Sequence, residues 1–265
     1  DKEPKITLGS RLTFSEKHCN HTVKLRCHQI MASSLEVSFS KLNLGNESPQ
    51  NLHLIVVAST FMSAGYECVI TWSKERNKLL RPVTNLTTNS WRLGTFQVGH
   101  KYKFEVVDLN PANAIWPHKS EDILVKADPL PDEGIEAALY DRLFDLSKES
   151  VTAVFHPGEI QEEKYIIKET QCPSVGILRC QSSDISIYRE WYNGKEVIRC
   201  KISGNYYLKV KAQNQETLIQ MFPIEHKNDF PILVLLGLAR PWDIFDPPRC
   251  YIMVIGITWA KDNHE

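Results

Sequence analysis

The chain has no CxxC pair, no apolar run of membrane length and no surplus of either charge, and each absence removes a class of function. Its seven cysteines, Cys19, Cys27, Cys68, Cys172, Cys180, Cys200 and Cys250, lack the close pairing of a zinc ribbon or a thioredoxin-like site. The longest apolar stretch, Phe230 to Ala239, is strand-length and well short of the roughly 20 residues a membrane helix requires. No direct membrane insertion is therefore expected. Formal net charge is −1, with 24% charged residues. Phosphate binding needs a basic excess or a clear basic face, so nucleic acid is not an expected partner. GxSxG, HExxH, P-loop and dinucleotide motifs are all missing. No catalytic residue, cofactor or metal is expected.

The nearest approach to a metal cluster is His18-Cys19-Asn20-His21, with Cys27-His28 close by. Alternating solvent-facing histidines beside a disulfide explain that pattern as well. The acid pairs Asp132-Glu133 and Glu162-Glu163 read as solvated charge.

What the chain does have is β alternation. The clearest case is Thr95 to Pro129. Tyr102, Phe104 and Val106 face one way there, and Lys101, Lys103 and Glu105 the other. Period two with large apolar residues on one side is what a half-buried strand needs. Asn110-Pro111 interrupts the pairing. Ile123, Val125 and Ala127 resume it up to the Pro129–Pro131 punctuation. A glycine turn leading into Tyr102 matches the tyrosine corner of β-sandwiches. The passage resembles the last hairpin of a fibronectin type III domain, and Trp72 is similar to the core tryptophan of that family's second strand. The resemblance implies architecture, not an activity.

The expected fold class is all-β: tandem immunoglobulin-like or fibronectin III-like β-sandwiches with one short linker helix. Residues 1–48 carry short β-rich pieces that form a small sheet or supply edge strands. Residues 49–129 read as a first sandwich. Residues 130–148 carry Ile135, Leu139, Leu143 and Leu146 at helical spacing, which predicts an amphipathic linker helix. Residues 149–228 read as a second sandwich, with a strand at Ser150–Phe155 placing Phe155 where Trp72 stood. Asn193-Gly194 marks a tight hairpin there, and Tyr206 echoes Tyr102. The segment Ile255–Trp259 parallels Val69–Trp72. Residues 229–265 are thus closing strands of the second sandwich or the start of a third unit.

Three glycosylation sequons, at Asn20, Asn46 and Asn85, favour an extracellular, disulfide-bonded glycoprotein. A start at Asp1 fits a processed ectodomain or a trimmed chain. The short loops Cys19–Cys27 and Cys172–Cys180 are candidate disulfides, and reduced thiols of an intracellular protein are the alternative. Candidate partner-binding residues are Tyr188 and Tyr192, with Trp191 expected in the core, and Trp116 and Trp242 beside prolines.

The functional expectation is a cell-surface receptor or co-receptor ectodomain binding a protein ligand or a partner receptor chain. Tandem sandwiches of this kind are similar to cytokine-receptor ectodomains, loosely to interleukin-17 receptors. The WSxWS signature of type I cytokine receptors is absent. The alternatives are an adhesion or structural surface protein, a TGF-β co-receptor of the endoglin type, and a glycan-binding or enzyme accessory module.

Overall fold

The alternation along the chain becomes two β-sheets that share one apolar wall. The computed structural model describes residues 50–85, 91–135, 138–224 and 229–260. Asn20, Asn46, Cys19 and Cys27 therefore lie outside the described residues. The described part is mostly β and belongs to one compact unit, Asn46–Glu265.

Seven strands build the first sheet: β1 (Asn51–Met62), β2 (Tyr66–Ser73), β3 (Lys78–Val83), β4 (Trp91–Arg92), β5 (His100–Asp108), β6 (Asp122–Val125) and β7 (Leu130–Ile135). Strand β1 pairs with both β2 and β5, β2 with β3, β3 with β6, and β6 with β5. The ladder thus closes on itself, with β7 added to β5. Inside sit Leu52, Leu54, Val56, Trp91, Phe96, Tyr102 and Phe104. Phe96 meets Trp91 and Tyr102 edge-on at 5.0 and 4.9 Å, an arrangement aromatic rings favour. The Tyr102 hydroxyl accepts a hydrogen bond from the Gln97 amide at 3.1 Å, which ties the start of β5 to the turn before it.

After β7 come helices α1 (Leu139–Leu146) and α2 (Val151–Val154). The expected helix over 130–148 is shorter than its periodicity suggested. Residues 130–135 leave as strand β7 because β5 still offers a free ladder edge to them. The expected strand at 150–155 is a correction: the Ser150 hydroxyl accepts from the Ala153 amide at 3.1 Å and caps α2, a local bond that starts a helix. Phe155 is nonetheless fully buried.

The second sheet contains β8 (Tyr165–Ile167), β9 (Val175–Gln181), β10 (Ile185–Tyr192), β11 (Lys195–Ile202), β12 (Tyr206–Val210), β13 (Pro231–Leu238) and β14 (Arg249–Trp259), with helix α3 (Gln215–Met221) between β12 and β13. Strand order is β10-β11-β12-β14-β13-β9, and β8 pairs with β14. Residues 231–259 are therefore central strands of this sheet. The concave core holds Ile187, Cys200, Leu208, Val234, Leu236 and Val254, and Phe222 from the end of α3 fills the gap beside β10.

The shared wall explains the apolar runs of β1 and β13. In β1, Leu54 and Val56 face the first core while Ile55 and Val57 face the second sheet. In β13, Val234 and Leu236 face the second core while Leu233 and Leu235 face the first sheet. A strand covered on both faces loses its polar alternation. Trp72, Ile177, Ile255 and Leu143 of α1 complete the wall, each such side chain stabilising by about 2 kcal/mol. Gly256 sits where the sheets pack closely: a Cβ there would lie 3.3 Å from Ala58 Cβ.

Candidate functional site

Strands β10 and β11 leave the body of the second sheet as a projecting hairpin. Asn193 and Gly194 take φ of +50° and +72°, the left-handed pair that a two-residue hairpin turn requires. In β10 the inner register runs Ile185, Ile187, Arg189, Trp191 and the outer runs Ser186, Tyr188, Glu190, Tyr192. Ile185 and Ile187 are buried, but the core ends before Arg189. Trp191 is accordingly 76% exposed, which corrects the expectation that it packs inside. Its register does point to the core side; the hairpin simply overhangs the core. Tyr192 is 54% exposed and Tyr188 half-buried.

Ion pairs stiffen the overhang. Arg189 bridges Glu196 on β11 and Glu216 on α3, and Arg199 bonds Glu190 at 2.9 Å while lying 5.5 Å from the Tyr192 ring. Burial, with Glu190 second, raises the Tyr188 hydroxyl above its ordinary pKa.

The other two aromatic candidates lie elsewhere. Trp116 is half-buried and donates its indole N–H to the Thr170 carbonyl at 3.0 Å. Trp242 is 56% exposed in the β13–β14 loop, stacked 6.4 Å from Phe245 and edge-on to Tyr251 at 5.7 Å. That loop enters β14 at Arg249, whereas the β12–β14 register places the 193–194 turn beyond the opposite end. Tyr188 and Tyr192 thus form one surface that neither tryptophan joins. Asn85 is exposed after β3.

Two clefts hold most of the polar groups that sequence patterns did not single out, together with Cys172. One, of about 310 Å³, is lined by Phe61, Met62, Leu238, Arg81, His118 and Lys211 among others. Beneath it Arg81 grips Asp122 through Nε and Nη2 at 2.5 and 2.8 Å. His118 Nδ1 lies 2.9 Å from Ser174 Oγ, which itself donates to Glu121 Oε2 at 2.6 Å. The serine stands between base and acid. In a nucleophilic triad the histidine holds that middle place, so this chain of bonds orients His118 without activating Ser174. Burial first, then Arg81 and Arg240, keeps His118 well below its usual pKa and hence neutral. Burial also raises Glu121, against three donors from Ser174 and Ser120.

The second cleft contains His156 and Cys172. Burial, and secondarily Glu121, pushes the Cys172 thiol up to about 11, the reverse of what a nucleophile needs. Cys172 and Cys180 are both free thiols. Extended β9 runs between them at about 3.3 Å per residue, too far apart for a disulfide. The thiols within electrostatic reach are Cys250 for Cys172 and Cys200 for Cys180. Among the described residues no cluster of three metal-ligating side chains occurs, and no helix is long and apolar enough to cross a membrane.

No family model matches this chain, and neither the curated proteins nor the solved structures include a match.

Proposed function

We propose that the chain is a recognition module without catalysis, an extracellular receptor or co-receptor ectodomain that holds a protein ligand against the tip of the β10–β11 hairpin. The observation that carries this reading is Trp191, 76% exposed beside Tyr192 on a hairpin braced by Arg189 and Arg199. An indole in water on a rigid mount gains free energy only when something covers it. Trp, Tyr and Arg are the residue types that dominate protein interfaces. The raised thiols and the Ser174-centred bond chain support a non-catalytic role. A sequon beginning at exposed Asn85 and the Tyr102–Gln97 bond support a sandwich-type ectodomain.

The test is a surface-immobilised panel of secreted cytokines and growth factors, probed with the full chain and with Trp191→Ala. A specific partner is expected, and the substitution should weaken it by about 2 kcal/mol, or roughly thirtyfold. Partner binding indifferent to Trp191 would overturn the hairpin assignment. Self-association without any partner in size-exclusion chromatography would favour a structural spacer.

A further inference from the structure

The outer face of β10, β11 and β12 carries a second surface, distinct from the Trp191 side. Across the ladder, Ser186, Lys201 and Tyr207 form one row, and Tyr188, Arg199 and Lys209 the next. Val197 then follows Arg199 outward, and Tyr192 pairs with Lys195 at the turn. Past β12, Lys211 lies close to Lys209 at the rim of the first cleft. Five cations, Lys195, Arg199, Lys201, Lys209 and Lys211, therefore share a face on which Glu190 is the one carboxylate among the described residues. The entire chain carries a net charge of −1, so this face is strongly segregated.

The cations feel one another. Desolvation, then Lys211, Arg199 and Lys195, lower the pKa of Lys209. Tyrosines interleave with the charge: Tyr207 is 41% exposed with Lys201 5.9 Å from its ring, and Tyr192 lies under Arg199. The adjoining outer face of β13 and β14 is covered by the first sheet, but that of β10 to β12 is open.

We propose that this face binds a sulfated polysaccharide of the glycosaminoglycan type. Repulsion among clustered cations is relieved by a polyanion that releases its counterions on docking. Four of the five cations are lysines, whose flexible point charges suit irregularly spaced sulfates better than the forked donors used to read bases. Side chains repeat about every 6.6 Å along a strand and every 4.8 Å across. The result is a flat grid, not the groove that tracks single-stranded nucleic acid. Tyrosine faces offer sugar rings a stacking surface.

The experiment titrates the full chain with a heparin dodecasaccharide, with the chemically desulfated oligosaccharide, and with oligothymidylate of equal charge. Heparin should bind, with log Kd rising against log salt at a slope of about 3 to 4 for five cations. Lys195→Glu with Lys201→Glu should weaken heparin binding at least about tenfold. The charge-matched pair Lys74→Glu with Lys119→Glu, exposed on the first sheet's side, should change it less than about twofold. Melting curves confirm that all variants fold. Trp191→Ala should leave heparin binding intact, which separates this site from the protein-binding tip. The proposal falls if heparin does not bind, if desulfated sugar or oligothymidylate binds as tightly, or if both charge pairs weaken binding equally.

Discussion

Two halves of one sheet meet different neighbours. On β9, β13 and β14 the outward residues include Val175, Ile177, Leu233, Leu235 and Ile255, all buried against the first sheet, with Arg179 at the margin paired to Glu149. On β10, β11 and β12 the outward residues are chiefly tyrosines and cations, with Ser186, Glu190 and Val197 among them. The inner faces are alike, both apolar and both in the same core. Every second residue therefore states whether its stretch of sheet has a partner within the chain, and the half without one is where a partner from outside would dock.

The largest expected effect comes from giving the covered half the chemistry of the open one. Leu235→Lys buries an unpaired charge in the wall and should cost more than about 4 kcal/mol, visible as loss of cooperative urea unfolding. The reciprocal change, Lys201→Leu, should alter stability by less than about 0.5 kcal/mol. Equal costs would mean that the two halves are not distinct.

Next is the seam where the sheets meet. His118 is neutral in the fold but titrates near 6.5 once unfolded, so its contribution is present above that pH. Stability should fall as pH drops below it, by at most about 1.4 kcal/mol per unit for one proton. His118→Asn, which keeps a donor for Ser174, should flatten urea-midpoint profiles between about pH 5 and 7. An unchanged profile would assign the dependence elsewhere. A smaller effect is expected where Gly256 packs against Ala58 of the first sheet. Gly256→Ala should cost about 1 kcal/mol, recovered in part by Ala58→Gly. Additive losses would show that the wall yields elsewhere.

Sequence periodicity made much of the strand content legible, because alternation survives wherever one face of a strand meets water. Tyr102, Phe104 and Val106 and the Asn193-Gly194 turn are examples. It was misleading where tertiary context decides. The helical spacing of Ile135 and Leu139 extends across a strand–helix boundary that only pairing with β5 reveals. The alternating Ser150–Phe155 became a capped helix through one side-chain bond. Trp191 obeys its register, yet no periodicity tells where a core stops. The basic face was hidden for a related reason: its charges are spread over β11, β12 and Lys211, and only the ladder aligns them. Cys172 and Cys180 looked like a loop closure because a linear reading cannot see β9 holding them apart. On a non-reducing peptide map of oxidised protein, a 172–180 link should be absent, and any link among these thiols should join 172 to 250 or 180 to 200.

The recognition account is tested most directly by the retention of Trp191→Ala on the partner surface found for the full chain, measured beside Lys195→Glu/Lys201→Glu. The account predicts that the tryptophan variant loses the protein partner by about thirtyfold while both variants melt like the parent. Undiminished retention of Trp191→Ala would contradict it.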